Sequence, residues 1–136
     1  MSIEVGVLLT GPYWAKACIL TPVFWHLPPD RSAGYIPDSR KLWEEIWDHR
    51  LEDLIFAHSH PGRGHYPGPS STDVTTFAAI EAALGRRIGW FITNETHLVF
   101  CIHDDNDWVT LAIDENDFGD KTWLQKLRDL SYEDKR

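Results

Sequence analysis

Apolar residues in this chain come in short blocks, and the length and spacing of those blocks restrict the fold more than any other feature. Residues 3–10, 14–25, 53–59, 88–93, 97–103 and 108–113 are runs of strand length, bounded by Gly, Pro, Asn and Asp as strands commonly are. Gly11-Pro12 joins the first two, while Asn94-Glu95 and the stretch 104–107 separate the last three. Other stretches carry apolar residues at helical spacing. Leu42, Trp43, Ile46 and Trp47 give one helix its apolar face, with Asp38 or Ser39 as N-cap. A second is predicted to begin at Ser71 or Thr72, with Val74, Phe77, Ile80 and Leu84 as its buried stripe and Gly85 as its stop. A third, near 121–131, carries Trp123, Leu124, Leu127 and Leu130. The order β-β-α-β-α-β-β-β-α predicts an α/β fold, a mixed sheet flanked by helices.

Composition narrows what such a domain does. The 136 residues fit one domain spanning 1–136, and 43% hydrophobic residues with seven tryptophans supply a real core. A net charge of −8 argues against a non-specific nucleic-acid or anionic-membrane binder, because phosphate binding needs clustered positive charge. No apolar stretch approaches the roughly 20 residues of a membrane span. The first residues lack the basic region of a signal peptide, having Glu4 instead. Cys18 and Cys101 lie in separate apolar runs and read as buried free thiols. The expected setting is the cytoplasm.

The chemistry concentrates in residues 58–73, HSHPGRGHYPGPSSTD, at the end of the apolar run 53–59. His58 and His60 are two apart on a strand, so both side chains leave the same face and Ser59 leaves the other. Pro61 then ends the strand. Alone, the pair favours a structural role over a metal. Asp73 shifts that balance, because it sits in the first turn of the second helix, past a loop that can fold back to the strand end. A carboxylate there also suits an ordinary helix N-terminus. Two histidines and one carboxylate make a three-ligand zinc site with an open position, the pattern of catalytic zinc, where a water pKa falls to about 7. Ser70 is either a helix cap or a donor to a developing oxyanion. Glu4, an acid in an apolar run, is either an exposed strand-end residue or a buried general base.

These residues together resemble the JAMM (MPN+) metalloprotease family. HSHP followed by S-x-x-D, with a Glu upstream on a strand, is its motif. EVGVLLTG, residues 4–11, is similar to the family's E-x-x-G-[IL]-L-x-G at Glu4, Leu8, Leu9 and Gly11. The resemblance spans roughly residues 3–103 and implies a cytidine-deaminase-like fold with one Zn2+ per chain. It implies His58, His60 and Asp73 as zinc ligands, Ser70 as the oxyanion-stabilising serine and Glu4 as general acid/base. It further implies an isopeptidase or peptidase acting after the Gly tail of a ubiquitin-like protein or its conjugates. Activating and conjugating enzymes from the same operon would be further partners.

Three departures accompany the match. Val7 stands where the family has its first glycine. The segment 61–69 is longer than is usual, which leaves His65 free to visit the metal or substrate. Only residues 1–3 precede Glu4, where the family usually has a helix. A processing peptidase for sulfur-carrier proteins and a non-catalytic scaffold of the same fold are the rival expectations. A zinc nucleoside deaminase is not among them, because its H-x-E and P-C-x-x-C signatures are absent.

Overall fold

The computed structural model of the chain describes residues 4–15, 17–27, 39–60, 62–104 and 107–132. Its elements follow the expected order: β1 (Gly6–Thr10), β2 (Thr21–His26), α1 (Arg40–Asp48), β3 (Leu54–Ser59), α2 (Ser71–Leu84), β4 (Gly89–Thr93), β5 (Leu98–Asp104), β6 (Asp107–Ala112) and α3 (Thr122–Tyr132). A short 3₁₀ turn, Glu115–Asp117, precedes α3. The strands form one sheet in the order β2-β1-β3-β4-β5-β6. β3 and β4 are parallel, joined through α2, and every other neighbouring pair is antiparallel.

Strand parity sorts the core into two layers. Val5, Val7, Leu9, Ile55, Ala57 and Phe91 belong to the layer covered by Trp123, Leu124 and Leu127 of α3. Leu8, Leu54, Phe56, Trp90, Ile92 and Val99 belong to the other, with Leu42 and Ile46 of α1 and Phe77 and Ile80 of α2. β3 is buried along its whole length. That explains why LIFA is continuously apolar, since a strand covered on both faces has no solvent side to mark. Both cysteines are buried and free, and burial pushes the Cys101 thiol up to about 12, so it stays protonated as part of the core.

Local chemistry fixes the helix ends. Ser39 caps α1, its hydroxyl accepting from the Leu42 N–H at 3.1 Å. α2 stops at Gly85, which takes the left-handed φ of +69° and donates its N–H to the Glu81 carbonyl. Among the described residues, no helix is long and apolar enough to cross a membrane.

Two readings need correction. The second strand is Thr21–His26 rather than 14–25, because residues 11–15 close turns (Tyr13 N–H to Gly11 O, Ala15 N–H to Pro12 O) and Ala17 is left-handed at φ 56°. Pro22 has no N–H to give a ladder, and it sits on the edge strand beside a register shift. Trp47 is not part of the buried face of α1; it is 53% exposed, with the Arg50 guanidinium 4.4 Å from its ring. Pro61 and residues 28–38, including the N-cap candidate Asp38, lie outside the described residues.

Candidate metal centre

Position 58 shares the parity of 54 and 56, so His58 enters the layer shared with α2. It is buried, with its ring 6.1 Å from Phe56 and 6.0 Å from Phe77. One pleat on, the His60 N–H extends the parallel ladder to the Thr93 carbonyl at 2.8 Å. Gly6 is opposite His58 in the β1/β3 pairing, so Glu4, two residues before Gly6, falls beside His60. The Glu4 Oε1 to His60 Nε2 distance is 3.9 Å, and Glu4 is only 4% exposed. Its backbone is anchored from the opposite face. The Val5 N–H donates to Ser59 Oγ at 2.9 Å, and the Ser131 hydroxyl of α3 donates to the same oxygen at 2.9 Å.

The fourth residue arrives with α2. Ser70 is its N-cap: Ser70 Oγ accepts from the Asp73 N–H at 3.1 Å, and the Ser70 N–H donates to Asp73 Oδ2 at 2.9 Å. This capping box satisfies helix-start donors and fixes the Asp73 rotamer together. The same Asp73 Oδ2 lies 2.9 Å from His60 Nε2 and 3.3 Å from His58 Nε2. The two imidazole Nε2 atoms are 3.1 Å apart.

Three ligand atoms thus form a nearly equilateral triangle. Tetrahedral zinc, with bonds of about 2.0–2.1 Å to nitrogen and oxygen, needs ligand atoms about 3.3 Å apart. The triangle fits one face of that tetrahedron. The ligand atoms of Glu4, His58 and His60 also fall within 4.8 Å of one another, but the 3.9 Å from Glu4 to His60 exceeds that edge. Glu4 therefore stands one step outside the triangle.

Charge is distributed to match. Burial works to raise the Asp73 carboxyl, but hydrogen bonds from His58 and His60, with the electrostatic pull of His58 and the Ser70 N–H behind them, outweigh it and hold Asp73 far below the usual carboxylate range. Burial lowers His58 against the pull of Asp73, leaving it neutral, as a metal ligand must be. Burial opposes charge on His60 too, yet the Asp73 hydrogen bond and charge, Glu4 and a backbone bond to Gly68 raise it overall. Glu4 is raised from 4.5 to about 7, mainly by burial, with His60 lowering it and Asp73 raising it. A carboxyl near 7 can both accept and release a proton at neutral pH.

His58 Nδ1 is buried without a hydrogen-bond partner among the described residues. An unpaired buried polar atom costs about 1–3 kcal/mol, which an apolar residue here would avoid.

The structure brings Glu4, His58, His60 and Asp73 together, with Ser70 at the edge as a cap. His65 is not among them. It is exposed, its Nδ1 3.1 Å from the Arg63 carbonyl, and its own carbonyl accepts from Asn94 Nδ2 at 2.6 Å. At Val7 no glycine is needed, because the side chain is fully buried in the α3 layer. The close approach falls at Gly6 instead, where a Cβ would meet Phe56 Cζ at 2.5 Å. Sequence reasoning missed Gly6, Ser131, Gly68 and Asn94; only Asn94 carried a local signal, as a turn residue beside Thr96. A cavity of about 570 Å3, lined by Tyr66, Thr96, His97, Asp114 and Glu115 among others, contains none of the four clustered residues. In comparison with known proteins, the chain matches no family model and no curated protein.

Proposed function

We propose that the chain is a JAMM-type zinc metallopeptidase with a cytidine-deaminase-like fold, cleaving after the C-terminal Gly tail of a ubiquitin-like protein. One observation carries this reading: the triangle of His58 Nε2, His60 Nε2 and Asp73 Oδ2, at 2.9, 3.1 and 3.3 Å, with the Glu4 carboxyl just outside it. Two neutral-capable imidazoles and one carboxylate suit zinc, which when bound supplies Lewis acidity to a carbonyl and to a water. The six-stranded mixed sheet with helices on both faces is consistent with the family fold.

The chain's own residues divide the remaining work. Glu4 takes a proton from the attacking water and returns it to the leaving amine, a task suited to a carboxyl raised to about 7. Asp73 stays ionised, and its Oδ2, facing both Nε2 atoms, would serve as the third ligand. Ser70 uses its oxygen lone pair for the cap, which leaves its O–H free to donate to a developing oxyanion.

The test is cleavage of a reporter fused after a ubiquitin-like Gly tail, beside a fusion with a bulky residue in place of the terminal Gly. The expected result is cleavage of the first alone, stopped by a chelator, restored by zinc and reduced about 10²- to 10⁴-fold in Glu4→Gln. Cleavage of short free tails but not of conjugates would move the reading to a processing peptidase. Zinc binding without cleavage of any of these would leave a scaffold.

A further inference from the structure

The segment after His60 is tied to the turn between β4 and β5. The Glu95 N–H donates to the Gly62 carbonyl at 3.0 Å. The Gly64 N–H donates to Thr96 Oγ1 at 2.8 Å. Asn94 Nδ2 donates to the His65 carbonyl at 2.6 Å. Arg63 pairs with Glu95 at 3.4 Å, and the Tyr66 and His97 rings meet at 4.3 Å. Gly62 and Gly64 take φ of +152° and +81°, values that glycine adopts at little cost and that let the segment follow the turn. Beyond this seam the chain returns to the candidate site, where the Gly68 backbone is among the groups that favour a proton on the His60 ring.

Asn94 is the centre of the seam, and it is 1% exposed. Its Oδ1 accepts from the N–H groups of Thr96 (3.0 Å) and His97 (2.7 Å), which shapes the turn, while its Nδ2 reaches across to His65. The turn is braced from behind. Arg128 of α3 donates to the Asn94 carbonyl at 2.9 Å and to Thr93 Oγ1 at 3.1 Å, and it is itself held by Glu115 through two bonds of 2.8 and 2.6 Å. Thr93 is also the residue whose carbonyl receives the His60 N–H.

From this we infer that Asn94 is a positioning residue for the metal centre. By shaping the turn that follows Thr93 and fixing residues 62–66, it holds His60 from two sides: the backbone N–H through the Thr93 carbonyl at 2.8 Å, and the ring through the approach of the segment that ends at Gly68. Hydrogen bonds of that kind to a ligating histidine align the ring and strengthen its basicity. The inference rests on the zinc reading of the site and adds a residue that touches neither metal nor substrate.

Asn94→Asp separates the two halves of the amide. It keeps an acceptor for Thr96 and His97, so the turn is retained, and it replaces the donor to His65 with an oxygen that repels that carbonyl. Zinc affinity is measured by chelator competition, the ligand field by the absorption of the cobalt-substituted protein, and the seam by amide exchange at Gly64. The expected result is faster Gly64 exchange, an altered cobalt spectrum and zinc binding weakened by about 10- to 100-fold. Thr96→Val, at an exposed position, removes the Gly64 acceptor together with the hydroxyl's contacts to His97 Nδ1 and Asn94 Oδ1, leaves the Asn94–His65 bond in place, and gives a smaller change in the same direction should Asn94→Asp fail to fold. Unchanged Gly64 exchange in both variants, or faster exchange with zinc affinity and spectrum unchanged, overturns the inference while wild type still binds zinc. A wild type that binds neither zinc nor cobalt removes the metal reading itself, and the positioning role with it.

Discussion

At the scale of single residues, Glu4 combines burial with a proposed task that needs charge. Its carboxyl is raised from 4.5 to about 7, so in metal-free protein the folded state holds a proton that the unfolded state has lost between those values. Stability from this source is therefore complete below about pH 4.5 and lost as pH rises through about 7. Glu4→Gln has no such slope. Its advantage over metal-free wild type in denaturant melts should grow by about 2 kcal/mol between pH 5 and pH 8. Parallel pH curves for the two proteins would show that Glu4 is not buried as described. The clustering of His58, His60 and Asp73 was legible in the sequence. Strand parity alone sends His58 and His60 to one face, and a helix that starts at Ser71 delivers Asp73. Gly6 was not legible, because what makes it necessary is the Phe56 ring on a neighbouring strand.

At the scale of elements, the start of α2 serves two ends. Ser70 is both cap and candidate oxyanion donor, and the two roles are separable. Ser70→Gly costs only a few tenths of a kcal/mol as a cap but removes the hydroxyl. Its expected signature is a melting temperature near wild type with kcat lower by about 10²- to 10³-fold. Wild-type kcat in Ser70→Gly would leave the serine a cap and nothing more. Element order and helix limits were readable because caps and periodicity are local. The edge strand was not: WAKACILT is apolar enough for a strand, yet Cys18 and Leu20 reach the core from irregular backbone, under α3. Tertiary packing, not pairing, makes that stretch apolar. The segment 61–69 was legible as a loop, but its length acquires a reason only in the contacts with the turn at 94–97.

At the scale of the whole molecule, three separate stretches of chain meet at the candidate metal centre: the approach to β1, the end of β3 and the start of α2. An ion held by His58, His60 and Asp73, which joins the last two, would stabilise only the folded state, and ligand present at a thousand times its Kd adds about 4 kcal/mol. Zinc-loaded protein should melt roughly 10 °C above chelator-treated protein, a shift that His60→Ala abolishes. Melting unaffected by zinc or chelator would count against the centre. The net charge of −8 favours a neutral or basic docking face on any protein partner, so association should weaken with salt. The hydroxyl pair Ser59–Ser131 has a wider consequence. It lies on the rear face of the sheet, between the backbone beside Glu4 and the last turn of α3. The mount of Glu4 is thus shared with a helix on the far side of the sheet. Under the proposed reaction, repacking that rear turn is a change to catalysis made from behind.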